Sequence, residues 1–316
     1  MGYPRISWAA QGRRFGLTLA GLVGGWTALL EAQWVRPTAA ELTGVFAAGN
    51  LTESSGVAVS RALPGILWTH NDSGDRPILY ATNLAGEDLG AFRIAGAQAV
   101  DWEDIALGLC PEADTTCLYI ADTGDNTESR KHAAIYIVRE PQRPPVRGRR
   151  PLDSLLARRL RVRYADGPQD VEALAVTHDG ELLLITKGRA RLIKTYRISR
   201  NAARLDTVTV ELSGVLDTLP PRALGRQVTG AAISPSGRRL VIRAYLELRF
   251  FRLPEEGPPV PEGAPCFLGV LREPQGEAVD FLDERTLVLT SEAGFGRPGG
   301  IAAVRCPISE TQDARR

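Results

Sequence analysis

The sequence predicts an all-β protein, a β-propeller of four-stranded blades, on three observations. A unit of short apolar strands recurs five times, turn residues fall at matching places between those strands, and acid-rich clusters mark one end of each unit. The unit opens with a small or acidic residue leading a first strand, at 55–59, 103–107, 172–176, 230–234 and 277–281. A turn follows at Leu63-Pro64-Gly65, at the loop between Cys110 and Cys117, at His178-Asp179-Gly180, at Pro235-Ser236-Gly237 and at Asp283-Glu284. The second strand covers 66–69, 118–121, 182–186, 240–242 and 286–290, and ends at a polar cluster. The third is marked by Tyr80, Tyr136, Tyr196, Phe251 and Val304, and the fourth by 91–94, 160–164, 208–212 and 267–271.

The fifth copy lacks a fourth strand, whereas Leu42-Thr43-Gly44-Val45-Phe46 near the start is strand-like and unassigned. An amino-terminal strand completing the last sheet accounts for both facts. The count gives five blades, and six if 141–158 or 214–227 contain strands of a further blade; a β-sandwich with coincidental spacing is the rival architecture. Residues 141–150 and 254–265 are proline-rich and read as extended connections, and 215–227 reads as a lid over one face.

Composition narrows the class. At 316 residues, 44% hydrophobic and 24% charged, the chain has enough apolar material for a full core. The net charge of +1 is carried by scattered basic residues, which excludes a nucleic-acid interface. No strand-to-helix phosphate fingerprint is present, so no nucleotide cofactor is expected, and no Ser-His-Asp arrangement is legible. Residues 1–14 lack acids and end in Arg13-Arg14 before an apolar run over 15–30. Residues 1–32 thus read as a signal peptide cut after Ala32, or as a retained membrane anchor, since Leu30 is large for the position three before the cut. The propeller is expected over 40–308, followed by a polar tail over 309–316, in a secreted or cell-envelope setting.

Four cysteines outside the leader suit an oxidising compartment, with pairing expected between Cys110 and Cys117 and between Cys266 and Cys306. Four buried thiols in a cytosolic protein are the alternative.

In a meander the start of every first strand and the end of every second strand share one face. That topology gathers Glu103, Glu172 and Glu277 with Asn71, Asp72, Asp122 and Glu292 at the channel mouth, beside Lys187, Arg243 and Arg130. Converging carboxylates repel and favour a shared cation. The oxygen-only set suits a hard ion such as Ca2+, with Glu103, Glu172, Glu277 and Asp122 as the metal ligands. Asn71, Asp72, Arg130, Lys187, Arg243 and Glu292 are the ligand-binding candidates, and Lys187 and Arg243 are placed to steady negative charge in catalysis. Against this stands a structural reading: short polar residues cap turns, and each glutamate can pair with a nearby cation. For Asp75 and Asp125 the turn role is preferred, and Trp68 and Trp102 read as packing residues.

The motifs Trp68-Thr69-His70-Asn71-Asp72-Ser73-Gly74-Asp75, Asp101-Trp102-Glu103-Asp104-Ile105-Ala106 and Asp122-Thr123-Gly124-Asp125-Asn126 resemble those of a largely uncharacterised family of bacterial secreted or membrane-anchored propellers. Gln275-Gly276-Glu277-Ala278 and Val228-Thr229-Gly230-Ala231 are similar to its later repeats. The resemblance implies a TolB-like, six-bladed propeller and brings no established activity. More distantly, the acid-ringed channel is similar to those of gluconolactonases and phytase-like esterases. Two functions follow as expectations: an extracytoplasmic propeller binding a small anionic ligand or a protein at an acidic, Ca2+-binding mouth, or a metal-dependent hydrolase of an ester, lactone or phosphoester. Whether the protein is an enzyme is left open by the sequence.

Overall fold

The computed structural model describes residues 34–147, 153–218, 224–254 and 257–308, and the expectations for 1–32 and 309–316 lie outside them. After β1 (Ala39–Val45), a first antiparallel group comprises β2 (Ser54–Val59), β3 (Leu67–Asn71), β4 (Ile78–Thr82) and β5 (Ala91–Ala95). The second comprises β6 (Trp102–Leu109), β7 (Thr116–Asp122), β8 (Ala133–Arg139) and β9 (Asp153–Tyr164). Next come β10 (Val171–Val176), β11 (Leu182–Thr186), β12 (Leu192–Ile198), β13 (Thr207–Val210) and β14 (Leu212–Thr218), with β10, β11, β12 and β14 forming one sheet. A further sheet is β15 (Val228–Ile233), β16 (Arg239–Ala244), β17 (Glu247–Arg252) and β18 (Val260–Phe267). The last is β19 (Gln275–Phe281), β20 (Leu287–Glu292) and β21 (Gly300–Arg305), onto whose edge β1 pairs antiparallel.

The first strands of the groups pack side by side in the order β2, β6, β10, β15, β19 and back to β2. Between groups the sheets stack face to face. Alternate residues of one strand therefore enter different cores: Leu118 and Ile120 of β7 join Trp68, Trp102 and Tyr136, whereas Tyr119 and Ala121 join Leu174, Leu184 and Tyr196. Burial on both faces is why β11 reads Leu-Leu-Leu-Ile-Thr without polar alternation. Each such leucine contributes about 1.5–3 kcal/mol relative to exposure.

Hydrogen bonds between side chains and backbone tie the first strands to one another. Ser55 Oγ donates to the Glu103 carbonyl at 2.6 Å, Thr229 Oγ1 to the Glu277 carbonyl at 2.7 Å, and the Val59 N–H to Asp280 Oδ2 at 2.7 Å. Asp104, fully buried, accepts from the N–H groups of Leu174 at 2.9 Å and Ala231 at 3.2 Å, and its other oxygen accepts from Ile105 at 2.8 Å. One carboxylate thus joins β6, β10 and β15.

Three expectations are corrected. The fourth strand of the third group is β14; the predicted 208–212 corresponds largely to β13, which pairs parallel with β9 because its alternating Thr-Val-Thr-Val presents Val208 and Val210 to the second group's core. The fourth strand of the next group is Val260–Phe267, not 267–271. Its prolines are tolerated because β18 is an edge that needs few of their missing N–H groups. The predicted lid over 215–227 is partly this same β14, ending at Thr218, with a 3-10 turn at Leu224–Arg226. Long segments that left room for further strands thus extend existing groups through β9 and β14.

Both predicted disulfides are formed. Cys110–Cys117 closes the turn from β6 to β7, and Cys266, inside β18 rather than before a strand, bonds Cys306 just beyond β21. A loop the size of the first constrains the unfolded chain by about 2 kcal/mol in the chain-entropy picture. Two disulfides and no free cysteine fit an oxidising compartment. No helix among the described residues is long and apolar enough to cross a membrane.

Candidate functional site

Each first strand begins with a break in register against its neighbour. The break falls at Ser55, Glu103, Glu172, Thr229 and Glu277, one skipped residue per strand. A β-bulge of this kind turns an extra residue out of the ladder and re-aims its side chain. The bulged residues are thereby presented as a set: three carboxylates and two hydroxyls, the latter tied to neighbouring backbone as described above. The fourth member is Thr229, where the sequence reading placed Gly230 at the strand head.

Glu103 and Glu172 come together, with Asp170 and, on the other side of Glu103, Asp72 and Asp101. Ligand atoms of Asp72, Asp101 and Glu103 lie within 4.8 Å of one another, and so do those of Glu103, Asp170 and Glu172. Glu103 belongs to both triads. Lys187 Nζ donates to Glu172 Oε1 at 2.7 Å, and Arg189 Nε to Asp170 Oδ2 at 3.0 Å. Glu277 and Glu292 are bridged by the Gln275 amide, which donates to both at 2.7 and 2.9 Å.

Burial and mutual repulsion hold Asp72, Asp101, Glu103, Glu172, Glu277 and Glu292 in their protonated forms to unusually high pH. Burial, then Glu172, Asp72 and Asp101, raises Glu103 well above the usual range. Burial is also the main cause that lifts Asp72 to about 6, Glu292 to about 7 and Glu172 to about 8. Glu277 rises well above its ordinary value through burial and the charges of Glu292 and Glu172. Burial opposes the charge on Lys187, but Glu172 and Glu103 outweigh it and keep the ammonium protonated. Tyr245, at the lip, is raised by burial and then by Glu277.

Other candidates are engaged elsewhere. Asn71 accepts from the N–H groups of Thr52 and Glu53 and donates to the Asn50 carbonyl and to Asp75, bracing a turn. Asp122 accepts from Arg130 Nη2 at 2.9 Å and from the Asp101 N–H at 3.0 Å, while Arg130 also reaches the Gly124 carbonyl. These two position the loop that carries Asp101 and are not in either triad. Arg243 is fully buried; it donates to the carbonyls of Ala278 and Thr290 and to Glu273, so it braces β16 against the next sheet. Asp75 and Asp125 have turn contacts, and Trp68 and Trp102 are core residues.

Asp101, Asp170, Arg189, Gln275 and Tyr245 are absent from the expected site. A signal for the acids and the amide does exist. A Glu, Asp or Gln stands two residues before every bulged residue, in Glu53-Ser54-Ser55, Asp101-Trp102-Glu103, Asp170-Val171-Glu172, Gln227-Val228-Thr229 and Gln275-Gly276-Glu277.

Gly124 is required by the closeness of these acids. A Cβ there would overlap Glu103 Oε1 and stand 2.6 Å from the Asp101 carboxylate. Gly124→Ala is expected to displace both carboxylates and cost about 1–2 kcal/mol of stability in urea unfolding; unchanged stability would show that the two acids shift freely.

No protein-family model matches the sequence, and no curated protein matches it. Solved structures do. The PQQ-bound aldose sugar dehydrogenase of Streptomyces coelicolor is similar at 11% identity and a TM-score of 0.50, over 86% of this chain and 99% of that one. The β-propeller domain of Myceliophteria thermophila Cps50 (Swd1) is similar at 14% identity and a TM-score of 0.40, over 80% of this chain and 83% of that one. At 11% identity the first likeness speaks for fold alone, and with the four-stranded groups described above it makes this chain an all-β protein of the β-propeller fold.

Proposed function

We propose that the protein is an extracytoplasmic, five-bladed propeller, its last blade completed by β1, that binds a ligand at its acidic mouth through a divalent cation such as Ca2+. The membership in the secreted or anchored propeller family suggested by its motifs is part of this proposal, with the blade count five in place of six. The observation that carries the reading is Glu103, a buried carboxylate common to two acid triads. Lys187 and Arg189 are engaged by Glu172 and Asp170, which leaves Asp72, Asp101 and Glu103 as the oxygen set for the ion. A hard cation there offsets the repulsion that otherwise forces protons onto these groups. Lys187 stands beside the ion position, where the ammonium suits an anionic ligand group or a protein carboxylate bridging to the metal.

The same placement of Lys187 supports a second reading as a metal-dependent hydrolase of an ester, lactone or phosphoester. In that reading Lys187 steadies developing negative charge; Arg243, committed to backbone carbonyls, does not share the role. The test is calorimetric titration of Ca2+ into wild type and Glu103→Gln, with substrate screens on both. Wild type is expected to bind saturably, and the variant at least about tenfold more weakly while staying folded. Absence of any saturable heat in wild type would refute the cation site. Turnover lost in the folded variant would select the hydrolase reading.

A further inference from the structure

Asp104 divides the bore of the molecule into two unlike halves. On one side of it stand Glu103 and the acidic mouth. On the other, the first strands line a cavity of about 450 Å³ whose walls include Val59, Leu107, Val176, Ile233 and Phe281, one from each first strand. A volume of that order is typical of sites for small molecules. Its lining on β6 begins at Ile105, next to Asp104, whose carboxylate bonds β6 to β10 and β15 at that level.

The charges at its rim are unequal in their partners. Asp280 accepts from the N–H groups of Val59 and Phe281, both at 2.7 Å. Glu140, just behind the rim, accepts from Ser60 Oγ at 2.7 Å and from the N–H groups of Arg61 and Ala62 at 2.9 and 3.1 Å. His178 is exposed, its ring lying over Gly237. The guanidinium of Arg61, also exposed, makes no hydrogen bond or ion pair among the described residues. The carboxylates are thus answered by fixed donors, whereas Arg61 has no such bond and acts on Asp280 only through space, which opposes the rise in that acid's pKa caused by burial. The cavity is thus amphipathic: the side chains of the first strands favour an apolar body, and a guanidinium without an ion pair favours a single carboxylate.

We propose that this cavity is a second binding site, separate from the acidic mouth, for a small amphipathic monocarboxylate: tail against the first strands, head on Arg61. The experiment is calorimetric titration of the purified full chain with octanoate and, as the headless comparison, octanol. One saturable octanoate site is expected. Arg61→Gln should weaken octanoate about tenfold and leave octanol unchanged, the loss of one charge-assisted contact. Ala106→Phe, which fills the cavity from its wall, should weaken both ligands at least about tenfold. Arg61 is exposed, so its variant keeps the fold and decides the matter even if Ala106→Phe does not. Octanoate binding that is non-saturable, that is indifferent to Arg61→Gln, or that is abolished by Glu103→Gln would overturn the proposal.

Discussion

Asp104→Ala is expected to lower the unfolding free energy by about 4 kcal/mol, the sum of three buried donors left without an acceptor at about 1–3 kcal/mol each, moderated by relaxation. The donors are the N–H groups of Ile105, Leu174 and Ala231, and they belong to three different first strands. The innermost strand of a blade has an unpaired edge, and its backbone groups need partners from within the bore. Asp104 supplies them for β6, β10 and β15 at once. Asp104→Asn keeps one carbonyl oxygen of the same shape and should lose roughly half as much. Urea unfolding of the two variants tests this, with an unchanged m-value showing that the unfolded state is the same. Faster amide exchange at Leu174 and Ala231 should accompany the loss. A change below ~1 kcal/mol in Asp104→Ala would mean that water replaces the carboxylate and that the cross-strand tie has little weight.

The strands were legible where the physics is local. Runs such as Leu182-Leu183-Leu184-Ile185 are buried on both faces, and their turns carry glycine at positive φ, as at Gly180 and Gly237. Legibility failed where a partner from another group decided the outcome. Thr207–Val210 has the alternation of a fourth strand, yet it pairs with β9 because that edge was free to take it. Val260–Phe267 looked like a solvated connection because of Pro261 and Pro265, and only its edge position permits it to be a strand. In the site, Glu103, Glu172 and Glu277 could be found because each opens a first strand. The bulges that aim them depend on register between strands, which no single segment states. Asp122 and Arg243 fall in the right layer, but each has a closer partner: Arg130 in one case, the carbonyls of Ala278 and Thr290 in the other. Sequence fixes the level of such a residue more readily than its direction. The regular Glu, Asp or Gln two positions before each bulged residue shows that the direction was encoded, though only a comparison of all five copies reveals it.

Stability without metal is expected to fall as pH rises from about 4.5 to about 8, and Ca2+ should remove the part of that fall owed to Asp72, Asp101 and Glu103. The sign follows from where the protons sit. Asp72 titrates at about 6 in the fold against an ordinary 3.8, and Glu172 at about 8 and Glu292 at about 7 against 4.5. Between the ordinary and folded values the folded state holds protons that the unfolded state has released, so unfolding becomes easier with each rise in pH. Below the ordinary values both states are protonated and the penalty vanishes. Asp166 and Asp283, held below 3.8, act in the opposite direction only under that pH, whereas fully buried His70, lowered by burial from 6.5 to about 4, adds stability as pH rises between those values and partly offsets the fall there. The deeply buried Glu172 alone accounts for a loss on the order of 5 kcal/mol across the window. A cation at Asp72, Asp101 and Glu103 favours the ionised forms, so its stabilisation should be negligible near pH 5 and greatest near pH 8. Chemical unfolding across this range, with chelator and with excess Ca2+, reads both effects. Glu103→Gln should remove only Glu103's own share of the fall, since burial raises Asp72, Glu172 and Glu292, and should abolish the difference between the two conditions, because it removes the carboxylate common to both triads. A falling curve that ignores Ca2+ would show that the mouth manages its crowding by sharing protons alone, with Glu103 and Glu172 as the sharing pair. Curves that coincide and stay level would show that the acids ionise freely, which their burial forbids unless water enters the mouth.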